Sequence, residues 1–104
     1  MTELRAKIEN ICNSPSAIRI SEDKIKEVNN LTDVKEIYAD WESNDMGEDF
    51  TLYTGSSSSG KARYFLRHYL RDWFGGWTSD DYVMWYEITE SVYNILYKSS
   101  SNNN

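Results

Sequence analysis

The chain has 104 residues, a formal charge of −6, a single cysteine and an aromatic content of 14%. That length suits one domain with one modest core, and Cys12 alone cannot form an intrachain disulfide, which fits a reducing compartment such as the cytoplasm. No run of about 18 apolar residues and no apolar leader core is present, so neither a membrane span nor secretion is expected.

Taken in chain order, Thr2 and Glu3 cap a predicted helix that runs to about Asn13, where Ser14 and Pro15 stop it. Leu4, Ile8, Ile11 and Cys12 share one face of that helix, which makes Cys12 an inert buried thiol rather than a nucleophile. Ala17 to Ile20 reads as a short strand or as the approach to a second helix, whose start is marked by Ser21, Glu22 and Asp23. Residues 33–43 satisfy two periods. Val34, Ile37, Tyr38 and Trp41 lie at helical spacing, yet Ile37, Ala39 and Trp41 also alternate, and the turn residues Asn44, Asp45 and Gly47 precede a strand-like stretch from Phe50 to Thr54. A hairpin over about 35–54 competes with a helix there.

Beyond Gly55 and four serines, a helix is predicted from Lys61 to Phe74, with Ala62, Phe65, Leu66, Tyr69, Leu70 and Trp73 on one face. Gly75-Gly76 breaks it, and a last helix is predicted over 79–97 with Trp85, Ile88, Val92, Ile95 and Leu96 as its core face. The expected fold is therefore a helix-dominated α+β domain over 1–98. It has a short β element and a C-terminal antiparallel helical pair, followed by a disordered Ser/Asn tail over 99–104.

Four constellations bear on function. The negative charge lies wholly in residues 1–52, and Asp33, Glu36, Asp40, Glu42, Asp45, Glu48 and Asp49, against Lys35 alone, account for it. Such a segment repels nucleic acid and suits a basic protein surface, although an ordinary solvated face is the plain alternative. The chain is similar, in size and charge only, to the acidic DNA-mimicking proteins that phages and mobile elements direct against restriction and CRISPR nucleases.

Gly55 to Lys61 reads G-x-x-x-x-G-K and resembles the phosphate loop of nucleotide hydrolases over seven residues, but Ala62 stands where the magnesium-binding hydroxyl belongs. What it leaves is a candidate anion site at Gly60 and Lys61, extended by the stripe Arg63, Arg67 and Arg71. Tyr82, Tyr86, Tyr93 and Tyr97 form a second face on the predicted last helix and, with the oppositely charged segments, nominate a homodimer. Trp73 and Trp77 are candidate anchors beside them.

Catalytic material is sparse: His68 sits among arginines, no carboxylate pair is marked as acid and base, and the acidic run around 40–49 misses the calcium-loop glycine spacing. The expectation is thus a non-enzymatic, acidic inhibitor or regulator that needs no metal or cofactor and docks on a basic partner protein. Phosphate or nucleotide binding is the alternative.

Overall fold

The computed structural model describes residues 2–43, 46–74 and 78–101, leaving aside the side chains of 2, 72–74, 78–80 and 101. Its elements in order are α1 (Thr2–Cys12), β1 (Ala17–Ile20), α2 (Glu22–Ile25), β2 (Asn29–Trp41), β3 (Gly47–Ser56), β4 (Ala62–Phe74), β5 (Thr78–Ile88) and α3 (Glu90–Ser101). The strands form one antiparallel sheet in the order β1-β5-β4-β3-β2. Four of them are a meander, and β1 adds to its far edge.

This corrects the helix-dominated expectation. The predicted helix over 61–74 is β4, and the predicted last helix divides into β5 and α3, so there is no C-terminal helical pair and the protein is not a helical one. The error has a physical source. Residues four apart share a face in a strand as well as in a helix, so Arg63, Arg67 and Arg71 align under either period. What separates the two is composition and punctuation: aromatic residues crowd both runs, and a Gly-Gly pair between such runs is a hairpin signal. Phe74 pairs with Thr78 across that connection. The rival reading of 35–54 is the one realised, because β2 and β3 pair from Asn29 with Ser56 to Trp41 with Gly47. At the other end α3 extends through Ser101, so the first residues of the expected tail are helical, and 102–104 lie outside the described residues.

The helices α1 and α3 cover one face. Ile8, Val92 and Leu96 meet Phe50, Leu52, Leu66 and Ile88 there to form the main core. Alternation along a strand sends the intervening residues to the other face. Most of that face carries no helix; the segment from Ser21 to Val28 crosses its upper end on its way from β1 to β2, burying Ile25 and Val28 against Phe65 and Trp85. Gly55 makes this crossing feasible, since a Cβ there would stand 2.4 Å from Val28 Cγ1. The Ser21 side chain caps α2 by accepting from the Lys24 backbone N–H.

Candidate interaction face

The uncovered face takes its character from β4, which presents Arg63, Phe65, Arg67, Tyr69 and Arg71 on it. Each arginine of the expected stripe is already engaged by a carboxylate on a neighbouring strand. Arg63 donates to Glu87 at 2.9 and 2.8 Å, Arg67 to Asp49 at 3.3 Å, and Arg71 to Asp81 at 2.9 and 3.2 Å. These bonds hold the carboxyls of Glu87 and Asp81 below the usual carboxylate range, the arginine hydrogen bond being the largest cause in each. Arg67 also lies 5.8 Å from the Tyr53 ring centroid and 5.9 Å from that of Tyr69, and its Nε is buried with no hydrogen-bond partner. Each guanidinium is thus paired with a carboxylate of its own sheet.

The expected anion site loses its scaffold as well. Gly55 and Ser56 end β3, and residues 57–61 close a β-hairpin in which the Ser57 N–H donates to the Lys61 carbonyl at 2.9 Å. Gly60 adopts φ +87°, the left-handed turn conformation that glycine takes without steric cost. No helix begins at Lys61, so no array of helix N–H groups points at a phosphate.

The acidic run does not form one surface. Pairing opposite Tyr53 and Thr51 places Asp33 and Glu36 on the uncovered face, while pairing opposite Glu48 places Asp40 on the helical face. Glu48 and Asp49, successive residues of β3, are buried on opposite faces. Asp45 lies outside the described residues. Asp33, Glu36, Asp40 and Glu42 remain exposed along or beyond edge strand β2, and none of them takes part in an ion pair with a described residue. Partial burial, then repulsion from Asp49 and Asp33, raises the Glu36 carboxyl, and the charge of Arg67 opposes that rise. Trp41, 43% exposed, stands at the same edge with its ring 5.8 Å from that of Tyr69.

On the helical face a second charged group joins α1 to the sheet. The Glu48 carboxylate accepts from the Arg5 guanidinium through both of its oxygens and from His68 Nε2 at 2.8 Å. Burial alone would raise that carboxyl, but the hydrogen bonds and charges of Arg5 and His68 outweigh it and hold it below its ordinary value. His68 is no surface residue: its side chain is 13% exposed and stacks on Phe50 with ring centroids 4.0 Å apart. This cluster was not anticipated, because only the register of β3 against β4 brings Glu48 and His68 together. Beside it a cavity of about 170 Å³ is lined by Glu9, Cys12, His68 and Tyr86. Burial, with Glu9 nearby, pushes the Cys12 thiol up to about 11, which keeps it protonated and weakly nucleophilic.

The four tyrosines are dispersed too. Tyr82 and Tyr86 belong to β5, with Tyr86 against the core and under Arg19. Tyr93 packs on Tyr64 at 4.9 Å, and Tyr97 lies under Lys35 at 4.8 Å, both on α3. A single tyrosine face therefore does not exist. Trp77 and the side chain of Trp73 fall outside the described residues.

No helix among the described residues is long and apolar enough to cross a membrane. Comparison with known proteins finds no matching family model, no matching curated protein and no matching solved structure.

Proposed function

We propose that the protein is a non-enzymatic acidic binding protein of the cytoplasm that inhibits or regulates a partner by docking the β2 edge on a basic surface. The observation that supports this most is the contrast between charges. The three arginines of β4 are all engaged by carboxylates, whereas Asp33, Glu36, Asp40 and Glu42 are exposed outside any described ion pair. A basic partner neutralises the exposed carboxylates of this edge, and Trp41 supplies an aromatic anchor there. A nucleic-acid-binding protein, such as the nucleases that mobile elements oppose, is the partner class that net charge favours. The split of the carboxylates over two faces means that the contact wraps an edge rather than presenting one ladder of phosphate-like groups.

Phosphate or nucleotide binding at Gly60, Lys61 and the arginines has less support, since it needs guanidiniums that are already paired and a helix where β4 stands. The test uses the protein as bait at low and high salt, followed by titration of the purified captured protein with wild type and with Asp33→Asn/Glu36→Gln/Asp40→Asn/Glu42→Gln. Specific capture that weakens with salt and fails for the neutralised variant supports the proposal. A shift of melting temperature by millimolar nucleotide, with no protein captured, would favour the alternative.

A further inference from the structure

The two edges of the sheet are protected unequally. β2 is interrupted by register irregularities at Asn29/Thr32, Asp33/Lys35 and Glu36/Tyr38 and carries charged side chains along its length, the devices by which edge strands resist pairing with another chain. At the other side β1 covers only Trp85 to Ile88 of β5. Among the described residues no strand lies beside Thr78–Met84 on that side, although this part of β5 keeps an unbroken register with β4 from Phe74/Thr78 to Tyr64/Ile88. A regular strand with one uncovered edge is a template for another strand.

We infer that this uncovered half of β5 pairs antiparallel with the same segment of a second copy, joining two sheets across a two-fold axis near Asp81. Antiparallel pairing is its own two-fold mate, so an edge of this kind is complementary to itself without further adaptation. The axis position follows from β1, which occupies the edge from Trp85 onward and, among the described residues of β5, leaves Thr78–Met84 for both copies to offer. A two-fold through that stretch runs close to its centre, Asp81. At that axis Asp81 faces its own copy with Asp80 next in sequence, a like-charge approach that Arg71, 2.9 Å from Asp81, offsets in part, and the next residues are Tyr82 and Val83, 45% and 44% exposed. Val83 and Ile18, 64% exposed, extend the apolar rim on the uncovered face. A partner chosen for basic charge finds its match at the opposite edge, where Asp33 and Glu36 lie, so the dimer leaves the proposed docking edge accessible.

Two measurements on the full chain test the inference. In sedimentation equilibrium from about 1 μM to ~1 mM, wild type should pass from monomer to dimer. Val83→Lys should raise the dimer dissociation constant at least tenfold, whereas Val34→Lys on the opposite edge should leave it unchanged. In a Cys12→Ser background, Asp81→Cys should cross-link on mild oxidation, since directly opposite Cα atoms on antiparallel strands lie about 4.5–5.5 Å apart, within disulfide reach. Ser58→Cys in the β3–β4 hairpin should not. A wild-type monomer at every concentration would overturn the inference, as would a dimer that survives Val83→Lys and gives no Asp81→Cys cross-link.

Discussion

Glu48→Gln isolates the bond between α1 and the sheet. The Glu48 side chain is 10% exposed and accepts from the Arg5 guanidinium and the His68 ring, so the substitution keeps the volume and one acceptor but removes the charge. Hydrogen bonds to charged groups contribute about 1.5–3 kcal/mol each against about 1 kcal/mol for neutral ones. Arg5, with a side chain 36% exposed, recovers part of its loss from water, which brings the expected cost to about 1–3 kcal/mol. The pH dependence has a definite sign. A carboxyl held below its unfolded value contributes stability that is complete above the unfolded pKa of about 4.3 and is lost as pH falls through the folded value. Urea melts of wild type and Glu48→Gln should therefore differ by that amount at pH 7 and converge as pH is lowered beneath the usual glutamate range. A difference under about 0.5 kcal/mol at pH 7, or one that persists unchanged in acid, would refute the role given to this cluster.

Other expectations follow from the same geometry. Leu66→Ala, at a fully buried position on β4 in the main core, should cost about 2–5 kcal/mol in the same melts, and a loss below 1 kcal/mol would contradict the placement of β4 beneath the helices. Gly55→Ala forces a Cβ to 2.4 Å from Val28 Cγ1 and 3.1 Å from the Asn29 carbonyl, so it should destabilise by about 1–3 kcal/mol, with Val28→Ala in the same chain restoring part of the loss. Cys12, with its thiol raised to about 11 from 9.0, should react with iodoacetamide at pH 8 roughly a hundredfold more slowly than an unfolded control; equal rates would show an accessible thiolate.

Much of the fold's local chemistry was legible in the sequence, and its global class was not. The Thr2 start of α1, the Ser21 cap of α2 and the strand-like stretch from Phe50 to Thr54 are short-range signals that depend on neighbours a few residues away, and they mark the elements found there. Over residues 61–97 the same kind of reading failed, because the four-residue spacing of Arg63, Arg67 and Arg71 satisfies a strand as readily as a helix. The aromatic content and the Gly75-Gly76 pair favour strands there, and the partners Asp49, Asp81 and Glu87, which arrive through cross-strand register, belong to that arrangement alone. The candidate site was legible in part for the same reason. Charge excess in residues 33–49 is a property of composition, but its division between two faces and the burial of Glu48 and Asp49 arise from pairing and bulges in β2. The Arg5–Glu48–His68 group joins residues 43 and 20 positions apart, a separation at which no periodicity carries information.

The central claim, that the carboxylates of the β2 edge hold a basic partner, is tested most directly by titrating the purified captured protein against wild type and against the variant neutralised at Asp33, Glu36, Asp40 and Glu42. Exposed interfacial charges contribute about 0.5–1 kcal/mol each, so the neutralised variant should bind roughly 30-fold or more weakly in moderate salt, with most of that difference gone near half-molar salt. Equal affinity for both proteins at every salt concentration would contradict the account.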